Sequence, residues 1–316
     1  MTTTLSDLPI HILEKVVGYR NLQESLILRK VCHTLRDLVD SNEVFCDRIE
    51  FKFEAHILTM KFGDLILKYH EVHMGGCRVT AYKNSTHQVY TYWYKENFKQ
   101  VMVADVATFL GNPKLKIGHI GFEVKCDESV AGFFVYLKSL EHQLSVQTIH
   151  NKSQRCITPI LHFLNQDELE EIVIENADIT VSKFKKIAKM EQWVTKMRLR
   201  GCCIPRGIGL QKFRNFKEID VEFEVIDEDL IKIRDILLKS PHLEDCEFTA
   251  SNYRKTEDEA YQRFHRIMIQ DPAFDALNCR FLIPDTRDYF QLEFQMYETT
   301  STANEINLTI TKVSSN

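Results

Sequence analysis

Four short stretches of this chain set charged residues in alternation with apolar ones: "LEEIVIE", "VTKMRLR", "FKEIDVE" and "LEDCEF". Between their apolar positions lie Glu171 and Glu175, then Lys196, Arg198 and Arg200, then Glu218, Asp220 and Glu222, then Asp245 and Glu247. Successive side chains on a strand point to opposite faces, so these charges share the face turned away from the core. Neighbouring strands about 4.8 Å apart would set Lys196 against Glu171 and Glu218, and Arg200 against Glu175 and Glu222. The four rows together carry an excess of four negative charges, concentrated on the last two. The chemistry of such a face is ionic. It can pair its own charges on a solvated sheet, or attract a basic segment of a protein substrate through Glu218, Asp220, Glu222, Asp245 and Glu247.

Catalytic arrangements are not evident. The sequence has no glycine-rich phosphate loop, no GxSxG elbow and no HExxH zinc motif. Carboxylates in "DELEEIVIEN" and "VIDEDL" occupy strand and helix-start positions, where solvation explains them better than acid-base work does. The 12 histidines are scattered without metal spacing, and the 9 cysteines contain no CxxC pair. They read as reduced thiols serving as small buried hydrophobes. The expectation is a non-catalytic protein with no metal and no cofactor.

The elements that must position the charged rows form a repeat. An apolar-x-x-apolar-x-apolar motif recurs as "IGHIGF" from Ile117, "LSVQTI" from Leu144, "LEEIVI" from Leu169, "VTKMRL" from Val194, "FKEIDV" from Phe216 and "LEDCEF" from Leu243. Spacings of 27, 25, 25, 22 and 27 residues predict a leucine-rich-repeat-like solenoid with a mainly parallel sheet. In this phase the first two rows of its outer face are His119, Gly121 and Glu123, then Val146, Thr148 and His150. The returning segments "ESVAGFFVYLKS", "CITPILHFLN", "TVSKFKKIAKM" and "DEDLIKIRDILLKS" read as helices. "RFLIP", "FQLEFQMY" and "INLTITKV" read as strands of a C-terminal cap over the sheet edge. Upstream, residues 44–95 alternate with period two in five runs, an antiparallel β meander whose last hairpin turns at "KNSTHQ". A helix from about Glu96 to Leu110 follows and stops at "GNP".

The head of the chain predicts three short helices at about residues 9–18, 22–30 and 32–40. They carry more leucine, isoleucine and valine than so small a unit can bury, and exposing these apolar groups is costly without a partner. At 316 residues the whole is long enough for two units. Its 44% hydrophobic and 27% charged content is that of a folded protein, and a net charge of -5 argues against nucleic acid or an anionic membrane as partner. No signal segment or membrane-length apolar run is evident, so a cytoplasmic or nuclear location is expected.

Leu8-Pro9, Ile12-Leu13, Val16-Val17, Leu22, Leu26 and "LRKVCHTLRDLV" from Leu28 to Val39 give the head its resemblance to an F-box. The resemblance implies docking onto a Skp-type adaptor, and through it a cullin, by Leu8, Pro9, Ile12, Leu13, Val16, Leu22, Leu26, Leu28, Val31, Cys32 and Leu35. His11 stands where that family usually has an acidic residue, and Leu35 where it often has tryptophan. The rest of the chain, with its "LEEIVIEN" style of motif, resembles the FTH-type region of nematode F-box A proteins. The implied organisation is an F-box at 1–43, a β-rich link at 44–95 and an FTH-type recognition domain at 96–316. The implied activity is substrate recognition within an SCF-type ubiquitin ligase, the alternative being a binding scaffold that does not lead to degradation.

Overall fold

The computed structural model describes residues 31–72, 75–83, 88–153, 157–175, 196–203, 216–222, 227–240, 242–253, 257–284, 286–300 and 303–314, together with positions 9, 11–13, 15, 24, 28, 182 and 213. The chain divides into two compact units, Met1–Leu169 and Glu170–Asn316. The expected boundaries after residues 43 and 95 both fall inside the first.

The first unit begins with helix α1 (His33–Ser41) and continues through strands β1 (Val44–Phe53), β2 (Ile57–Phe62), β3 (Leu65–Val72), β4 (Gly76–Lys83) and β5 (Gln88–Tyr94). Helix α2 (Phe98–Leu110), β6 (Leu115–Val124), helix α3 (Asp127–Ser139), β7 (Ser145–Asn151) and the short α4 (Ile157–Leu161) complete it. Strands β1 to β5 pair as an antiparallel meander, as their alternation predicts. On its other side, β1 pairs in parallel with β6, and β6 with β7.

Helix α2 is opened by the Asn97 side chain, which accepts a hydrogen bond from the Lys99 amide at 2.9 Å, a cap for one of the orphan donors of a first turn. Asp127 and Glu128 in the first turn of α3 and Lys138 in its last match the helix dipole. Helices and sheet meet in an aromatic core. The Phe51 ring lies 5.1 Å from Phe133 of α3 and 5.5 Å from Phe122 of β6, and Phe62 lies 6.2 Å from Phe109 of α2. Buried Tyr69 donates its hydroxyl proton to the Asp105 carboxylate at 2.8 Å.

The three parallel strands share an irregularity. Buried positions fall at Cys46, Ile49 and Phe51 on β1, at Ile117, Ile120 and Phe122 on β6, and at Val146, Ile149 and Asn151 on β7. The registers align Cys46 with Ile117 and Ile117 with Val146, then Ile49 with Ile120 and Ile120 with Ile149. Two successive unburied residues stand between the first and second position each time: Asp47-Arg48, Gly118-His119 and Gln147-Thr148. This corrects two expectations. Val146, expected outward, is 0% exposed while Gln147 faces out, so the second motif starts two residues later than read. Strand β1, expected only in the meander, carries the repeat motif as well.

The second unit contains β8 (Glu171–Glu175), β9 (Lys196–Cys203), β10 (Glu218–Glu222), helix α5 (Asp227–Lys232) and β11 (Asp245–Tyr253). Helix α6 (Glu257–Met268) and strands β12 (Phe274–Asp275), β13 (Arg280–Leu282), β14 (Tyr289–Thr300) and β15 (Ala303–Val313) follow. Strands β8 to β11 pair in parallel in chain order. Antiparallel β15 then covers the edge of β11, with β14, β13 and β12 beyond it. Helix α5 does not run uniformly: it passes into a π-helical turn at Ile233–Leu237. Arg234 on that turn donates to the Ile267 carbonyl at 2.7 Å, tying it to the end of α6. Ile172, Ile174, Ile219, Val221, Cys246 and Phe248 form the sheet's buried row. The three-helix head is described only at α1 and at isolated helical positions, and "TVSKFKKIAKM" lies outside the described residues except at Ser182.

Candidate functional site

In the head, Pro9 and Val31 are exposed, Val31 at 55%, and Ile12 and Cys32 are half-buried. Leu13, Leu28 and Leu35 are 2%, 7% and 0% exposed. These three are packed within the chain. Leu8, Val16, Leu22 and Leu26 lie outside the described residues. The apolar set thus divides between holding the head together and facing outward.

In the second unit, the parallel registers place Lys196 between Glu171 and Glu218, as the spacing predicts, and align Arg198 with Asp220. Arg200 aligns with Glu175 but not with Glu222. A register shift between Val221 and Glu222 sets Glu222 opposite Cys203 instead, so the expected Arg200–Glu222 neighbourhood is lost to an irregularity in the pairing. Glu218 and Asp220 align with Asp245 and Glu247 on the other side. Both acids of that last row have partners on β15: Thr311 donates to Asp245 at 3.0 Å and Asn307 to Glu247 at 2.8 Å. Val173, expected outward on β8, is 8% exposed.

The first unit holds a site that the expected residues largely miss. The outward side of β1, β2, β3, β6 and the end of β7 forms a groove of about 360 Å³. Gly121 lies in it where neighbouring rows carry side chains. Three carboxylates line it, each held by two cations. Glu50 pairs with Arg48 at 2.6 Å and Lys61 at 3.7 Å. Glu54 pairs with Lys52 at 3.3 Å and Lys125 at 3.2 Å, and Glu123 with the same two lysines at 3.5 and 3.4 Å. Beside the groove, the His119 and His150 rings meet edge to face at 5.6 Å. Burial, then the nearby Arg48 and His150, pushes the His119 imidazole down to about 4. The signal that could have found this site is the motif within "VFCDRIEFKF", whose outward positions are Arg48, Glu50 and Lys52.

Among the described residues no group of three or more histidines, cysteines and carboxylates could hold a metal ion, and no helix is long and apolar enough to cross a membrane. Buried Cys46 and Cys77 thiols are pushed up to about 11, chiefly by desolvation, so they stay protonated at neutral pH.

The F-box domain family matches residues 5–47, and the FTH domain family matches residues 127–265, from α3 of the first unit into α6 of the second. The chain thus carries an F-box domain followed by an FTH domain. It is similar to F-box A protein 224 of Caenorhabditis elegans, with 26% identity over 246 residues. That similarity covers 74% of this chain and 63% of the relative, so the match spans less than two thirds of the relative's length. No solved structure matches the chain.

Proposed function

We propose that this protein is a substrate-recognition subunit of an SCF-type ubiquitin ligase. Its F-box would dock on a Skp-type adaptor bound to a cullin, and the remainder would hold a protein target. The observation that carries this reading is the F-box domain at 5–47 joined to an FTH domain, since F-box proteins generally act as substrate adaptors. The protein itself would do no chemistry on its target and would work in the cytoplasm or nucleus. On the adaptor side, exposed Pro9 and Val31 and half-buried Ile12 are the described residues that support docking. On the target side, the parallel strands β8 to β11 act as a leucine-rich-repeat-like face, with Lys196, Arg198 and Arg200 flanked by the acidic rows that would attract a basic segment.

The test is affinity isolation of the tagged chain from cells. A Skp-type adaptor and a cullin should co-purify, and both should be lost when Leu8, Pro9 and Ile12 are changed together to alanine while the melting temperature holds. If neither co-purifies with the unaltered chain, the ligase reading is wrong and the non-degradative scaffold replaces it.

A further inference from the structure

We infer that the groove on the first unit's sheet is a receptor for an acidic peptide segment of another protein. Its surroundings are electrostatically lopsided. Arg48, Lys52, Lys61, Lys68, Lys125 and Lys152 are six cations gathered around three carboxylates, Glu50, Glu54 and Glu123. The carboxylates are paired with Arg48, Lys52, Lys61 and Lys125. Lys68 and Lys152 form no ion pair among the described residues, and Lys68 instead lies 5.2 Å from the centre of the Tyr82 ring. A surplus of positive charge in a concave site focuses its field on an incoming anion.

Shape selects the kind of anion. Lys152, just beyond β7, and Lys68 on β3 are separated by four strand spacings, about 19 Å. An extended segment of about six residues covers that distance at about 3.3 Å per residue. Along it, Ile57 and Ile66 offer apolar contact and Thr59 a hydroxyl. Nucleic acid fits less well. The aromatic residues lining the groove, Phe51 and Phe122, are each 2% exposed, so their rings provide no stacking platform for bases. The chain's net charge of -5 also repels a long polyanion that extends past the groove.

His70 lines the groove and offers a readout of an anion bound there. Burial, then Arg78 and Lys68, holds the His70 imidazole below its ordinary value. A carboxylate-rich ligand settling beside it should raise that value.

Fluorescence polarisation of fluorescein-labelled hexaglutamate against the full-length protein tests the inference and needs no ligase component. It can therefore fail while adaptor capture succeeds, or the reverse. Saturable binding should weaken at least tenfold in the double variant Lys68→Glu, Lys152→Glu and stay unchanged in Lys138→Glu, an exposed position on α3. Proton NMR should show the His70 titration moving up when the peptide is added. The melting temperature of the double variant checks its fold, and Lys68→Gln with Lys152→Gln replaces it if the fold is lost. Three results would each overturn the inference: no saturable binding; equal binding by the folded variant; or tighter binding, lost in that variant, of a labelled single-stranded oligonucleotide than of hexaglutamate.

Discussion

A methyl group added at Gly118 would lie 2.8 Å from the Asp47 carbonyl oxygen, closer than a carbon can approach backbone without displacing it. Gly118→Ala should therefore destabilise the protein by about 1–3 kcal/mol, the usual range for an overpacked site. Gly132 makes the opposite case. It is exposed on α3, and an added methyl there would meet Val103 at an ordinary 3.9 Å. Gly132→Ala should stabilise by about 0.5–1 kcal/mol, because glycine costs that much in a helix interior. Urea midpoints for the two variants, measured side by side, check both signs. His119 supplies a pH dependence. Its folded value of about 4 lies below the ordinary 6.5, so the unfolded chain takes up a proton first as pH falls. Its contribution is complete above pH 6.5 and drains away between there and about pH 4. Allowing for its half-exposed setting, the loss should be on the order of 1 kcal/mol. Stability-against-pH curves should be flatter over that window in His119→Gln.

Among the elements, α1 separates two roles that sequence alone merges. The resemblance gives Leu35 to the adaptor, yet it is 0% exposed and shares the buried side of α1 with Leu38 and Val39. Leu35→Ala should cost about 2–5 kcal/mol through the cavity it leaves. Any loss of adaptor in that variant would then follow unfolding of the head. Val31→Ala should leave the melting temperature within a degree or two and weaken adaptor capture on its own. Measuring melting and capture together distinguishes these outcomes. The strands show where legibility stops. Apolar alternation was enough to find β2 to β5 and the cores of β8, β10 and β11, because it is written locally. The parallel pairing of β1 with β6 was not legible, since four further strands and α2 intervene and nothing local records the choice. At β7 the motif fits in two phases, each with one polar position, Leu144-Gln147-Ile149 or Val146-Ile149-Asn151, and only the pairing with β6 decides between them. The register shift at Val221 and Glu222 likewise arises from pairing, and nothing in the local sequence marks that Glu222 falls opposite Cys203 and not Arg200.

At the scale of the molecule, the two units present sheet faces of opposite sign. The face of the first gathers six cations around three carboxylates. The rows on β8 to β11 of the second sum to four negative charges. Faces of opposite sign should prefer different ligands, and each preference should depend on its own charges and weaken as salt rises. Reversing Glu218 and Glu222 to lysine puts like charge opposite Lys196 in the register and removes the acidic centre of the second face. That variant should bind labelled hexalysine at least tenfold more weakly while keeping hexaglutamate binding and adaptor capture. The Lys68→Glu, Lys152→Glu variant should show the reverse pattern for the two peptides, with adaptor capture again intact. Loss of both peptides in either variant, with the fold preserved, would mean that the two faces form one coupled surface, and the assignment of separate ligands to separate units would fall.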